Sequence, residues 1–198
     1  MNIAIIPARG GSKRIPRKNI RDFHGKPIIA KKYGAEIPFM RPKSISDDYA
    51  TTLDVILHSI NELELSSTDL ICCIYATAPF LKYTDLEYAV QTVSEPDVTY
   101  CYAVAEYSYP IQRALDINPD GYCSMIDPIN LLVRSQDLEK RYHDAGQFYC
   151  ASVNTFLSDD SILGSKGAKP IILDSSRVQD IDTEQDWIKA SLMFELFE

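Results

Sequence analysis

The sequence predicts an α/β domain in three layers, with helices on both faces of a mostly parallel sheet. Three observations carry that expectation. Strand-like apolar runs alternate with segments of helical period along the chain. Leu70 to Tyr75 is a continuous apolar run, the pattern of a strand buried on both faces. Asn2 to Ile6 is a short apolar strand that runs directly into a turn rich in Gly, Ser, Lys and Arg. Ligands of such sheets bind at the carboxyl ends of the strands, where this turn stands.

The elements follow in order. After the first strand and its loop, Pro27 to Tyr33 is expected as a short helix and Ile37 to Phe39 as a brief strand. Asp47 and Asp48 are expected to cap the helix that follows. In that helix Leu53, Ile56, Leu57, Ile60 and Leu63 fall on one face. Pro79 is expected to end the strand that begins at Leu70. Thr84 and Glu87 have capping-box spacing ahead of Leu86, Ala89, Val90 and Val93, and Val98 to Ala105 reads as a further strand. Asn118-Pro119-Asp120-Gly121 is a turn signal between Ile111–Ile117 and Tyr122–Ile126, which predicts a hairpin. Leu131 to Tyr142 is polar and is read as an excursion from the main sheet. Gln147 to Val153 and Lys169 to Leu173 read as later strands. Thr183 and Asp186 are expected to cap a last helix carrying Trp187, Ile188, Leu192 and Leu196.

The 198 residues fit a single domain spanning 1–198 with a core that needs no staples. No apolar run approaches transmembrane length, and the Ile3–Ala8 run is too short for a signal-peptide core. The five cysteines, Cys72, Cys73, Cys101, Cys123 and Cys150, form no CxxC pair, so zinc is not expected. Most sit in apolar stretches, as reduced thiols in the cytoplasm would. The net charge of -8 is unevenly distributed. Residues 1–32 hold nine Lys/Arg and one acidic residue, a balance of +8, and the remainder carries -16. A basic patch on an acidic chain suits a small polyanion and argues against extended nucleic-acid binding.

The first loop has the chemistry for such an anion. Gly10 and Gly11 remove side chains that would hold ligand oxygens away from the backbone. Successive N–H groups can then form a nest, Ser12 adds a hydroxyl, and Arg9, Lys13, Arg14, Arg17 and Lys18 add charge. The alternative is a solvated basic loop. Neither a Walker A sequence nor GxGxxG is present.

The string PARGGSKRIPRKN, following a strand, resembles the activated-sugar nucleotidyltransferases, and most closely the cytidylyltransferases for sialic-type acids. The resemblance continues through His24-Gly25-Lys26-Pro27, Arg41-Pro42 with Ser46-Asp47-Asp48, and Ala76-Thr77-Ala78-Pro79. It extends to Arg134-Ser135-Gln136-Asp137 and Asp180-Ile181-Asp182-Thr183. Tyr75-Ala76-Thr77-Ala78-Pro79-Phe80 and Asp144-Ala145-Gly146-Gln147-Phe148-Tyr149 are similar to the pseudaminic acid branch of this acylneuraminate family. The implied fold is the Rossmann-like nucleotide-diphospho-sugar transferase fold. One departure is large. Ile28-Ile29-Ala30 joins directly to Lys31-Lys32-Tyr33, where the family carries about thirty further residues, the size of one helix–strand unit. The family's second strand lies beside the first, so its loss is expected to leave the first strand with an open edge or to draw Ile37–Phe39 inward.

The resemblance implies a reaction: CTP and a nonulosonic acid give the CMP-sugar and pyrophosphate. Pseudaminic acid is the first substrate and sialic acid the alternative. Arg9, Ser12 and Lys13 with the Gly10–Gly11 backbone would hold the triphosphate. Lys18 and Asn19 match family positions near the nucleotide, with Lys18 stabilising charge at the α-phosphate. Asp180 and Asp182 stand one residue apart, so on an extended segment both carboxylates point to one side. With phosphate oxygens they would suit Mg²⁺. Spacing alone leaves open a solvated acidic turn. Arg41 contacts nucleotide or acidic sugar, or else makes a surface ion pair. Tyr75, Gln147 and Tyr149 are sugar-pocket candidates or ordinary packing at strand ends, and Gln136 is a weaker one. No set of histidines offers a general base. The resemblance also implies a homodimer, with the excursion at 129–142 meeting the partner subunit. A rival expectation from another class is a degenerate, non-catalytic nucleotide- or sugar-binding module created by the deletion. A third is a relative that uses a different nucleotide.

Overall fold

The computed structural model describes residues 1–8, 15, 18–23, 26–27, 35–47, 49–158 and 161–196. It begins with β1 (Asn2–Ile5), a 3-10 turn at Lys18–Ile20, and a short ribbon of β2 (Asp22–Phe23) and β3 (Lys26–Pro27). α1 (Thr52–Glu62), β4 (Leu70–Ile74), α2 (Tyr83–Thr92) and β5 (Tyr100–Glu106) follow. The hairpin β6 (Leu115–Ile117) and β7 (Cys123–Met125) leads to β8 (Tyr142–Ser152), α3 (Val153–Ser158), β9 (Ile171–Leu173) and α4 (Glu184–Glu195).

The main sheet has five strands in the order β1-β4-β8-β5-β9. β1 pairs parallel with β4, and β5 with β9. β8 is antiparallel to both of its neighbours. The sheet is therefore mixed rather than mostly parallel in its pairings, although β8 alone is reversed. The reason lies in the connection. A parallel neighbour needs a long crossover, usually through a helix. Between β5 and β8 the chain supplies a hairpin and 3-10 turns only, so β8 returns beside β5 as the second arm of an elaborated hairpin.

Strand alternation distributes the core over both faces. Ile71 and Cys73 of β4 face one way and pack with Ile56 and Ile60 of α1, Val153 and Phe156 of α3, Tyr100 and Ala151. Cys72 of β4 faces the other way, with Ala89 of α2, Cys101, Ala103, Phe148 and Cys150. Leu70 and Ile74 join that second cluster, so β4 is covered on both sides, as its apolar run predicts. Cys72, Cys73, Cys101 and Cys150 are buried and Cys123 is exposed. Burial pushes the Cys73 and Cys101 thiols up to about 12.

Several local expectations change. Ile37–Phe39 is not a strand. Pro38 has no N–H to give a ladder, and Phe39 instead meets His58 of α1 edge-to-face at 5.2 Å. Among the described residues β1 pairs only with β4 and so stands at the edge of the sheet. Pro27 does not open a helix: Lys26–Pro27 pairs antiparallel with Asp22–Phe23. The rest of the expected helix at 27–33 lies outside the described residues. Asp47 does not cap α1. Thr51 does, accepting from the Asp54 N–H at 3.1 Å while Asp54 accepts from the Thr51 N–H at 2.8 Å. Asp47 is too far ahead to reach that turn and instead accepts the N–H groups of Tyr49 and Ala50, both at 3.0 Å. Asp48 lies outside the described residues. β4 ends at Ile74, well before Pro79. α2 starts at Tyr83, so Thr84 is inside its first turn, and Asp85 accepts the Lys82 N–H at 3.0 Å.

Other expectations hold in detail. The β6–β7 turn closes with Gly121 at φ 86, a left-handed conformation that glycine adopts without strain. Thr183 and Asp186 form the reciprocal capping box of α4, with bonds of 3.2 and 2.8 Å. A bulge interrupts the β5–β8 ladder between Tyr102 and Val104. Gly146 sits opposite that irregularity at φ 60.

Candidate active site

The site assembles around a dipeptide-spaced acidic pair. Ile181 is fully buried between Asp180 and Asp182. Its side chain enters a cluster with Ile15, Phe80, Trp187 and Ala190. Alternation along the extended segment turns Asp180 and Asp182 away from that cluster, toward one side. The same cluster fastens four parts of the chain to one another: Ile15 from the first loop, Phe80 from the turn after β4, Ile181, and the inner face of α4.

Lys18 reaches this segment from the opposite end of the sequence. Its Nζ donates to the Ile181 carbonyl at 2.5 Å and stands 3.6 Å from an Asp182 carboxylate oxygen. Asn19 is the next residue of the same 3-10 turn. Arg21 follows, with its guanidinium 4.5 Å above the Trp187 ring and bonds of 2.6 and 2.8 Å to the Glu184 carboxylate. The turn at 18–21 is thus held against the start of α4, and this holding brings Lys18 to Asp182. Burial pushes the Asp180 carboxyl up, the nearby Asp182 charge adds to the shift, and Lys18 opposes it.

The donor chemistry fits a hard divalent cation. Two carboxylates repel one another beside a partly desolvated segment, and a cation would relieve both penalties. Among the described residues no group of three or more His, Cys, Asp or Glu side chains stands ready to hold a metal.

Arg9, Gly10, Gly11, Ser12 and Lys13 lie outside the described residues. β1 ends at Ile5, and the Ile6-Pro7-Ala8 segment that follows it is described. Arg41 meets it there, donating from Nη2 to the Ala8 carbonyl at 2.8 Å and from Nη1 to the Ile45 carbonyl at 3.5 Å. Pro7, Ala8, Arg41 and Ser46 line a cavity of about 450 Å³ beside β1, a volume suited to a small ligand.

Tyr75 follows β4. Its hydroxyl bonds Thr52 Oγ1 at 2.7 Å, and its ring meets Tyr149 edge-to-face at 5.6 Å. Tyr149 donates to the Asp144 carboxylate, and burial with that bond pushes its phenol up. Gln147 is placed differently from a pocket-facing residue. It is buried at 3 % exposure, and its Nε2 donates to the Arg177 carbonyl at 2.6 Å. Gln136 sits in the excursion, in the 3-10 turn Ser135–Asp137, far along the chain from the acidic pair.

The sequence left several members of this assembly unread. Ile15, Arg21, Trp187 and Glu184 act through tertiary contact, which no local spacing encodes. Ile181 was legible: a single apolar residue between two aspartates is the alternation of a strand with one face inward. Asp85 and Arg177 form an ion pair across 92 residues and carry no local signal.

A family model described as Cytidylyltransferase matches residues 3–37. The chain is 39% identical over 225 aligned positions to the pseudaminic acid cytidylyltransferase of Campylobacter jejuni subsp. jejuni serotype O:2, covering 98% of this chain and 97% of that protein. This chain belongs to the cytidylyltransferase family. The membership extends to a more distant relative, the CMP-N,N'-diacetyllegionaminic acid synthase of Legionella pneumophila, at 28% identity over 98% of this chain and 96% of that protein. The fold agrees with CMP:2-keto-3-deoxy-manno-octonic acid synthetase, solved in complex with CTP. That match has a TM-score of 0.67 at 14% identity and covers 100% of this chain and 99% of the other. The Campylobacter alignment is longer than the chain itself. Its 225 positions exceed 198 residues by 27, so that member of the family carries at least 27 residues with no counterpart here.

Proposed function

We propose that this chain is a Mg²⁺-dependent cytidylyltransferase that joins CTP to pseudaminic acid, releasing pyrophosphate. The observation that carries the reading is the meeting of Lys18 with the Asp180–Asp182 segment, within a family whose Campylobacter member is named for this reaction. The anomeric hydroxyl of the acid forms a bond to the α-phosphorus, and the bond to the pyrophosphate oxygen breaks in line with it. Charge then develops on the leaving group and on the α-phosphate oxygens.

The chain's own residues meet those demands. Lys18, held by the Ile181 carbonyl, keeps its ammonium at a fixed place near the α-phosphate instead of collapsing fully onto Asp182. The Arg9–Lys13 loop holds the β- and γ-phosphates. Arg41 lines the cavity beside β1, bonded to the Ala8 carbonyl, and orients the nucleotide or the sugar acid. Tyr75 and Tyr149 form one wall of the sugar site. Asp180 and Asp182 would hold Mg²⁺, which when bound polarises the α-phosphate and lowers the pKa of the attacking hydroxyl.

Two further parts belong to the same reading. The residues absent relative to the family fall between Ala30 and Lys31 and amount to one helix–strand unit, in keeping with β1 at the sheet edge among the described residues. The chain forms a homodimer through its hairpin and the excursion at 129–142, where Ile117, Tyr122, Ile126, Ile129 and Leu132 are exposed.

Pyrophosphate release from CTP with pseudaminic acid and Mg²⁺ tests the function. Lys18→Ala is expected to lower kcat by about 10²–10³-fold while CTP binding changes far less. Folded protein that releases no pyrophosphate with any nonulosonic acid, while still binding CTP, would instead identify a binding module. Stronger thermal stabilisation by UTP or GTP than by CTP would overturn the nucleotide assignment.

A further inference from the structure

One residue outside the predicted site ties together three segments at the ligand end of the sheet. Arg177 closes the 3-10 turn Ser175–Arg177, three positions before Asp180. Its guanidinium is mostly buried and forms an ion pair with the equally buried Asp85 of α2. Nη1 adds a contact of 3.4 Å to the second Asp85 oxygen, and Nη2 donates to the Phe80 carbonyl at 3.1 Å. The Arg177 carbonyl in turn accepts the Gln147 side-chain amide at 2.6 Å. Gln147 is itself fixed in the sheet, because its own carbonyl accepts the Tyr75 N–H at 2.8 Å.

This pattern exceeds what holding α2 requires. A carboxylate at the first turn of α2 is already used to accept the Lys82 N–H. The Phe80 carbonyl belongs to the turn after β4, whose Phe80 side chain shares with Ile181 the buried cluster beside the acidic pair. Arg177 therefore grips the segment 178–182 at its start, and Ile181 grips it in the middle. Fixing both points defines where Asp180 and Asp182 project.

We propose that Arg177 is a positioning residue for the metal-binding carboxylates, holding the Asp180–Asp182 segment in register with the turn after β4 through Asp85, the Phe80 carbonyl and Gln147. The proposal rests on the reading above that Asp180 and Asp182 hold a divalent cation. It also gives Gln147 a definite part: its amide secures Arg177 from inside the sheet.

The test uses Mn²⁺ as the probe, with affinity measured by electron paramagnetic resonance in the presence of CTP, alongside Mg²⁺-dependent pyrophosphate release. Asp182→Asn is the control that removes a ligand. Arg177→Met is expected to weaken Mn²⁺ binding by about 10–100-fold, the usual cost of losing a group that orients metal ligands. It should also raise the Mg²⁺ concentration for half-maximal turnover by a similar factor. Arg177→Lys is expected to recover part of both. Because Arg177→Met leaves Asp85 buried without its partner, Gln147→Met serves as the gentler variant, with an expected shift of about 3–10-fold in the same direction. Folded variants with wild-type Mn²⁺ affinity and wild-type Mg²⁺ dependence would overturn the proposal. So would wild-type protein that binds no Mn²⁺ with CTP. Wild-type protein that binds Mn²⁺ and loses it on Arg177→Met, yet releases no pyrophosphate, would support the positioning role and overturn the function instead.

Discussion

Asp180, proposed above as a metal ligand, sits against the interests of the fold. Burial and the Asp182 charge raise its pKa above the ordinary aspartate value, so folding disfavours its ionised form. Its contribution to stability is present below the ordinary aspartate range and is lost as pH rises through the raised folded value. At neutral pH, without metal, Asp180→Asn is therefore expected to stabilise the protein. The carboxylate keeps solvent on one side, so screening limits the gain to about 0.5 kcal/mol or less. Thermal melting in chelator at neutral pH, repeated near pH 4, checks this: the gain should fade at the lower pH. A less stable Asn variant at neutral pH would contradict the like-charge account. Lys18 faces the same segment with opposite charge, and its bond to a backbone carbonyl fixes it without depending on either carboxylate's protonation.

At the scale of elements, α4 links stability to the site. Its capping box joins Thr183 to Asp186, and Asp186 also accepts the Asp182 N–H at 3.2 Å. The cap therefore orders the residue that follows Ile181 as well as the helix. Trp187 and Ala190 then bury against Ile15 and Phe80, and Arg21 covers the Trp187 ring. Thr183→Ala is expected to cost about 1 kcal/mol, read as a lower urea midpoint with an unchanged slope. An undiminished midpoint would mean that tertiary packing alone sets where α4 begins. Of the three helix caps anticipated, this one alone was placed correctly: Thr183 and Asp186 exchange the reciprocal bonds although Asp182 and Glu184 flank them. For α1 the acidic pair at 47–48 drew attention from Thr51, and for α2 Asp85 was overlooked because it serves a cap and an ion pair together.

At the scale of the molecule, the unusual feature is the position of β1. It leads in sequence to the loop proposed to bind phosphate, yet it pairs on one side only among the described residues. Interior strands gain burial on two edges and two faces, and β1 forgoes part of both. Its apolar sequence carries no charge or proline to blunt an edge. Inserting the helix–strand unit proposed to be absent between Ala30 and Lys31 is expected to raise the melting temperature by several degrees, at ~2–4 °C per kcal/mol for a chain of this size. An insertion that lowers the melting temperature would show that the shortened chain is already self-sufficient. The reversed β8 belongs to this scale too. Its direction follows from a hairpin-type return between β5 and β8, which the polar excursion hinted at without fixing.

The sequence by itself determined the apolar strands, the hairpin turn, the Asp-Ile-Asp alternation and the family, because each is written in local period or in motifs of fixed order. It also proposes a place for the residues absent relative to the Campylobacter protein, at the join of Ala30 to Lys31. Only the tertiary structure decided which distant residues share the site. Lys18 meets Asp182 across more than 160 positions through the Ile15–Phe80–Ile181–Trp187 cluster. Arg177 reaches Asp85, and Gln147 turns inward to hold it. These contacts arise from packing of faces against one another, and burial is a property of the folded whole that no window of sequence contains.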